Sequence, residues 1–194
     1  MDKVAVPPGF KITPEQFEQL ADYESEARLE LTASGELIIM SPTGGSAGKK
    51  NFRLIQQLAN WIDVDKTGIG FDSSTVFVLP NGARRSPDAS WITLERWNRL
   101  TPEEQDDFPP IAPDFALELV SPSDLKNRRY QDLQSKMQEY IDNGVKLGWL
   151  IEPKSKKVEI YRSGKSPKVL DNPRTINGED ILPGFVLNLN TIFS

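Results

Sequence analysis

The chain has 194 residues, 38% of them hydrophobic and 26% charged, with a formal net charge of −5, the make-up of one soluble globular domain. It contains neither cysteine nor histidine, which excludes disulfide frameworks, thiolate zinc sites, histidine-bearing metal sites and Ser-His or Cys-His catalytic pairs. Any acid–base or metal chemistry must come from carboxylates, lysine, tyrosine or backbone groups.

No stretch approaches the roughly 20 apolar residues of a membrane helix. The opening MDKVAVPPGFKITPEQ lacks the apolar centre of a secretory signal, so a cytoplasmic location and no membrane partner are expected. The negative total argues against unspecific coating of nucleic acid, but the charge is unevenly spread. Residues 1–40 hold three basic and eight acidic residues, whereas residues 121–168 hold eleven basic and six acidic. That basic stretch can steer a polyanion or serve simply as a solvated surface.

In chain order, an extended arm rich in proline precedes a short helix over 14–22, capped by Thr13 with Pro14 at its first position and Gln16 three residues on. A hairpin follows, 28–32 with 36–40, turning at Ser34-Gly35. Ser41-Pro42-Thr43-Gly44-Gly45 breaks the pattern. Phe52, Ile55, Leu58, Ala59 and Ile62 then recur at helical spacing and predict a helix over 46–63. Gly68 and Gly70 bracket the next break. A strand is expected over 71–79, an Asn81-Gly82 turn, a strand over 86–93 and a short helix over 94–99. Residues 101–113, with four prolines and four acids, read as a surface loop. Residues 114–120, apolar on both faces, read as a central buried strand. A long helix is expected over 125–143 with the core stripe Tyr130, Leu133, Met137, Tyr140 and Ile141, closed by Asn143-Gly144. Strands over 146–152 and 157–162 and a tail broken at Pro183-Gly184 complete the chain. The strand–helix–strand step over 114–151 requires a right-handed crossover, so the fold class is α/β with a mixed sheet flanked by helices. The expected organisation is one domain over 1–194: an arm and hairpin over 1–45, a core over 46–162 and an extension over 163–194.

Glu118 is the most informative residue, because it interrupts the most apolar strand. An ionised carboxylate there must pair with a base, reach solvent at the strand's end, or bind a cation. Asp88 follows Pro87 at the start of a neighbouring strand. If the strands pair, Asp88 and Glu118 meet at one edge, and two adjacent carboxylates repel unless a proton or a metal lies between them. Hard oxygen ligands suit Mg²⁺ or Mn²⁺; the plainer reading of Pro87-Asp88 is a turn. At 100° per residue Lys136 falls on the border of the core stripe one turn before Tyr140, where its ammonium can reach the sheet's edge. Its alternative is an exposed pair with Asp132.

These segments, taken together and in order, resemble the Uma2 (DUF820) family of the PD-(D/E)xK nuclease superfamily: Leu29-Glu30-Leu31 before Gly35-Glu36-Leu37, Met40 to Gly45, Ser86-Pro87-Asp88, Pro113-Asp114 through Glu118 to Ser123, Lys136 to Tyr140, Gly144-Val145 and Trp149-Leu150-Ile151. The likeness spans about 28–162. It implies a restriction-endonuclease-like core in the order αβββαβ, with Asp88 and Glu118 as the paired acids. The superfamily's lysine two residues beyond the second acid is here Val120, a departure. The resemblance implies that Lys136 supplies it from the following helix, and that Glu30 matches a recurrent glutamate, with a surface hairpin acid as the alternative.

On this reading Asp88, Glu118 and the carbonyl of Leu119 or Val120 hold Mg²⁺ or Mn²⁺, and Lys136 orients the attacking water. Lys49, Lys50, Arg53, Arg84, Arg85, Lys126, Arg128 and Arg129 are candidates for contacts to flanking phosphates. The expected activity is endonuclease cleavage of phosphodiester bonds in DNA, with a homodimer as the simplest geometry for cutting both strands. Two alternatives stay open: a nuclease fold that binds nucleic acid or protein without cutting, and a two-carboxylate enzyme such as a glycosidase, which needs neither metal nor Lys136.

Overall fold

The computed structural model describes residues 7, 9–23, 27–40, 42–122, 124–125 and 129–194; Lys126 and Arg128 lie outside them. Helix α1 (Pro14–Tyr23) begins with the anticipated box: Thr13 Oγ1 accepts the Gln16 N–H at 3.2 Å and Gln16 Oε1 accepts the Thr13 N–H at 2.9 Å. It buries Phe17. Strands β1 (Arg28–Leu31) and β2 (Leu37–Met40) form the hairpin, with Gly35 at φ +84° in the turn, a conformation that favours glycine.

Helix α2 (Gly45–Asp65) buries Leu54 and Leu58, with Ile55 and Ile62 partly covered. Phe52, expected on its core face, is 68% exposed. The true stripe runs 54, 55, 58, 62, so it is shifted round from the face drawn through Phe52.

Strand β3 (Gly68–Asp72) follows, and the single strand expected over 71–79 is split. Asp72 Oδ1 accepts the Ser74 N–H at 2.9 Å and its hydroxyl at 2.5 Å, an Asx turn that redirects the chain. Strand β4 (Phe77–Val78) then joins a different sheet with β5 (Arg84–Arg85). Gly68 and Gly70 lie inside β3 rather than at a break. A Cβ on Gly68 would sit 2.3 Å from both the Trp91 ring and the Ile92 carbonyl oxygen, so this glycine marks a close approach. Strand β6 spans Ala89–Thr93, later than the expected start, and leads into α3 (Leu94–Trp97). The acidic loop holds α4 (Pro102–Asp106), capped reciprocally by Thr101 and Glu104.

Strand β7 (Phe115–Leu119), helix α5 (Arg129–Asp142) and strand β8 (Leu147–Glu152) form the expected crossover, with β7 and β8 parallel. Gly144 closes α5 at φ +105°. Strands β9 (Lys157–Arg162), β10 (Lys165–Asp171), β11 (Thr175–Gly178) and β12 (Leu182–Asn188) and helix α6 (Asn190–Phe193) complete the chain. The sequence reading had no β10 or β11.

The described residues form a six-stranded sheet in the order β10-β9-β8-β7-β6-β3, a four-stranded sheet β2-β1-β5-β4 and the pair β11-β12. Within the large sheet only β7–β8 is parallel. Leu117 and Leu119 face α2 and the C-terminal segment, with Trp149, Phe185 and Ile192. Ala116 and Val120 face the other way, among Met137, Tyr140 and Ile141 of α5. Both faces of β7 are therefore covered, which accounts for its unbroken apolar character. Among the described residues no helix is long and apolar enough to cross a membrane.

Asp114 anchors the start of β7. It is fully buried, accepts the Thr93 N–H at 3.0 Å and pairs with Arg96 at 2.9 Å and Lys146 at 2.7 Å. Burial pushes its carboxyl up, but the Lys146 and Thr93 hydrogen bonds and the Arg96 charge outweigh it and hold the value below the usual aspartate range. A depressed folded value means stability that is present above the ordinary aspartate pKa and lost as pH falls through the lowered one. Asp114→Asn is expected to cost about 2 kcal/mol at neutral pH and to flatten the decline in Tm on acidification below about pH 4. A series of thermal melts on both proteins from pH 7 to pH 3 checks this; parallel acid limbs would remove Asp114 as their source.

Candidate active site

The pairing of β6 with β7 sets the site. Ala89 lies opposite Leu117 in an antiparallel register, so one step further Asp88 lies opposite Glu118. Asp88 Oδ2 accepts the Leu119 N–H at 2.8 Å, which fixes its carboxylate against β7. Side chains alternate along a strand, and Glu118, in step with Ala116 and Val120, faces α5.

Helix α5 answers with two side chains one turn apart. The Lys136 ammonium lies 2.7 Å from Glu118 Oε1 and 2.7 Å from Glu30 Oε1. The Tyr140 hydroxyl donates to Glu118 Oε1 at 3.0 Å, and the Lys136 ammonium stands 5.7 Å from the centre of the Tyr140 ring. Lys136 thus takes two carboxylates across the fold rather than Asp132 on its own helix. Glu30 comes from β1, 2% exposed. It also accepts the Ser86 N–H at 2.9 Å and pairs with Arg85 at 3.1 Å, whose Nε bonds Glu139 at 2.6 Å.

Burial is the largest influence on each acid, and their partners decide the outcome. Glu30 ends below its ordinary value because Lys136, Arg85 and the Ser86 N–H outweigh desolvation. Glu118 is pushed up to about 7 by burial, with Asp88 and Glu30 adding to the rise and Lys136 opposing it. Asp88 is also raised by burial, against the pull of the Leu119 N–H, Lys136 and Arg28. Burial works against the Lys136 ammonium, but Glu118 and Glu30 hold its pKa above the ordinary lysine value. Burial and the neighbouring Glu118 keep the Tyr140 hydroxyl protonated, well above its usual range.

Asp88 Oδ1 is approached by Asn51 Nδ2 at 3.4 Å and by Arg28 Nη2 at 3.9 Å. The cluster therefore holds four carboxylates, Glu30, Asp88, Glu118 and Glu139, against three cationic side chains, Arg28, Arg85 and Lys136. Two adjacent carboxylates, both with pKa values raised by burial and that of Glu118 raised further by Asp88, fit a bound cation, which would favour their ionised forms. The donors are all hard oxygens, and a Mg²⁺ or Mn²⁺ ion that keeps several waters needs few protein ligands. Among the described residues no group of three or more Asp, Glu, His or Cys is arranged to hold a metal, so any ion would rest on Asp88 and Glu118 with backbone and water.

The structure brings Glu30, Asp88, Glu118 and Lys136 to one end of the sheet. Arg84 and Arg85, anticipated as phosphate contacts, instead point inward. Arg84 is buried, pairs with Glu18 at 2.7 Å and donates to the Gly82 carbonyl at 2.9 Å, while Arg85 joins Glu30 to Glu139. Their guanidinium groups are spent inside the molecule. Lys49 and Arg53 are exposed on α2, Lys50 is half-buried, and Arg129 is exposed at the start of α5. Arg28 and Asn51 escaped the sequence reading. Arg28 stands two residues before Glu30 on one strand, hence on the same face, which was the available signal. Asn51 carried none.

The crystal structure of a "putative nuclease belonging to DUF820" from Anabaena variabilis ATCC 29413 matches with a TM-score of 0.76 over 94% of this chain and 97% of that one, at 21% identity. The fold is thus that of a nuclease-like α/β protein. The Uma2 family model, described as "putative restriction endonuclease", matches residues 14–190, and the chain belongs to the Uma2 family. No curated protein matches it.

Proposed function

We propose that this chain is a Mg²⁺- or Mn²⁺-dependent endonuclease that hydrolyses phosphodiester bonds in DNA. The observation that carries the reading is the placement of Asp88, one residue before β6, against β7 beside Glu118, its carboxylate bonded by the Leu119 N–H at 2.8 Å, with the Lys136 ammonium 2.7 Å from Glu118. Asp88, Glu118 and the Leu119 carbonyl would hold the ion, which when bound polarises a phosphoryl oxygen and lowers the pKa of water. Asp88 is oriented for this by the Leu119 N–H. Lys136 is delivered by α5 and fixed by Glu30, so its ammonium is preorganised to orient the attacking water and to offset charge developing on the phosphoryl group. Tyr140 donates to the same Glu118 oxygen and holds that carboxylate in place. The lysine missing at Val120 is thereby replaced in space from another element.

Lys49, Lys50 and Arg53 on α2, and Arg129 on α5, are the described residues we assign to flanking phosphates; Lys126 and Arg128 extend that set. Cutting both strands of a duplex calls for two such centres, hence a homodimer.

The test is nicking of supercoiled plasmid in Mg²⁺ or Mn²⁺. Cleavage is expected from the parent, lost on adding EDTA and restored by excess metal. Folded protein that cuts no DNA in either metal, or that cuts undiminished in EDTA, would overturn the proposal.

A further inference from the structure

The centre is tightly paired around Lys136 and loosely paired around Asp88. Glu30, Arg85, Glu118, Glu139 and Lys136 meet at 2.6–3.1 Å. At Asp88 Oδ1 the approaches are 3.4 Å from Asn51 and 3.9 Å from Arg28. Arg28 Nε and Asn51 Oδ1 are both buried without a hydrogen-bond partner among the described residues. Buried polar atoms left unpaired are uncommon in folded proteins and call for an explanation. Here two of them belong to the two side chains that face one oxygen of the candidate centre, one from β1 and one from α2.

Their chemistry is complementary. Arg28 offers donors and a positive charge; Asn51 Oδ1 offers an acceptor. The Arg28 side chain keeps 31% exposure, so a ligand from solvent can reach it. Along one edge its guanidinium presents parallel N–H groups that match two oxygens of a phosphate. At 3.9 Å from Asp88 it can bond a second anion without leaving the first. Lys49 and Lys50 immediately precede Asn51 on α2, Lys49 exposed and Lys50 half-buried.

We infer that Arg28 is the anchor for the phosphodiester at this centre, and that the Asn51 carboxamide oxygen accepts a hydrogen bond from a water molecule that accompanies it. The identity of the anion rests on the nuclease reading. Arg28 binds the substrate's phosphate; Asn51 positions what lies beside it.

The test measures fluorescence anisotropy of labelled single- and double-stranded DNA oligonucleotides. Ca²⁺ replaces Mg²⁺, so that binding is read without turnover, and plasmid cleavage is assayed in parallel. Arg28→Ala is expected to weaken binding at least tenfold and to reduce the slope of log affinity against log salt by about one. Arg28→Lys keeps the charge but not the fork, and is expected to recover the salt slope with only part of the affinity. Asn51→Ala is expected to lower the cleavage rate with a smaller change in affinity. Circular dichroism and Tm establish that each variant is folded, and a merely structural role for Arg28 would move Tm and leave the salt slope alone. Unchanged affinity and slope in folded Arg28→Ala, or a parent that binds neither oligonucleotide, overturns the inference. Arg28-dependent binding with no cleavage in Mg²⁺ or Mn²⁺ keeps the anchor and sinks the nuclease reading; cleavage with an unaltered KM in Arg28→Ala does the reverse.

Discussion

Lys136→Met should abolish cleavage and destabilise the fold at the same time. The side chain is 10% exposed and its ammonium is shared by Glu30 and Glu118 at 2.7 Å each. Methionine fills much of the same volume but leaves Glu118, already pushed up to about 7, with no cation in contact. Breaking a buried pair by removing one partner costs about 3–5 kcal/mol; protonation of Glu118 keeps the cost here at the lower end, a fall in Tm on the order of 10 °C for a chain of this size. The proposed loss of charge stabilisation corresponds to at least about a hundredfold in cleavage rate. The double variant Lys136→Met with Glu118→Gln separates the two effects, because it removes the stranded carboxylate as well. Its Tm should return most of the way to the parent's while cleavage stays absent. If Lys136→Met melts with the parent, the ammonium is not the counter-charge the geometry describes.

Asp88→Asn is expected to give the opposite stability signature. Burial holds the Asp88 carboxyl above its ordinary pKa, with Glu30 adding to the rise. A raised folded pKa in an acid means that the ionised form is disfavoured in the fold relative to the unfolded chain. The neutral isostere relieves that repulsion and keeps an oxygen for the Leu119 N–H. Tm should therefore be unchanged or higher by a few degrees, as when a functional site stores strain. Cleavage should fall by more than the 10- to 100-fold typical of an outer partner of a metal site. Melting curves and plasmid nicking on the same sample check both halves; a stable variant that still cuts would remove Asp88 from the centre.

Much of the scaffold was legible because it rests on local periodicity. The alternation in residues 28–40, the unbroken apolar run of β7 and the stripe of α5 each announce one element and its covered face. The helical angle also put Lys136 within reach of the sheet's edge. Elements fixed by distant partners were not legible. Val76 to Leu79 read as one strand with residues 71–75, because nothing local says that β4 pairs in another sheet. Strand β10 is exposed along nearly its whole length and so has no hydrophobic pattern to read. Arg84 and Arg85 look like surface cations, yet their partners, Glu18 for one and Glu30 and Glu139 for the other, lie 54 to 66 residues away. Burial of a charge is decided by such partners, and a sequence window does not contain them.

The tie between Glu30 and Lys136 spans 106 residues, and this has a bearing on synthesis. The hairpin bearing Glu30 leaves the ribosome first, and its counter-charge follows after about 5 to 20 s at roughly 5–20 residues per second. Until then the nascent chain carries Glu30, Asp88 and Glu118 without the ammonium that reconciles two of them. Long loops must close before such contacts form, so this charge network is completed late, ahead only of ties such as that of Gln57 to Thr191, which spans 134 residues. A ribosome stalled upstream of α5 would display the acids of the centre without its lysine. The order of translation thus withholds the counter-charge of these acids until β1 to β7 have been made, while three strands of the large sheet are still to come.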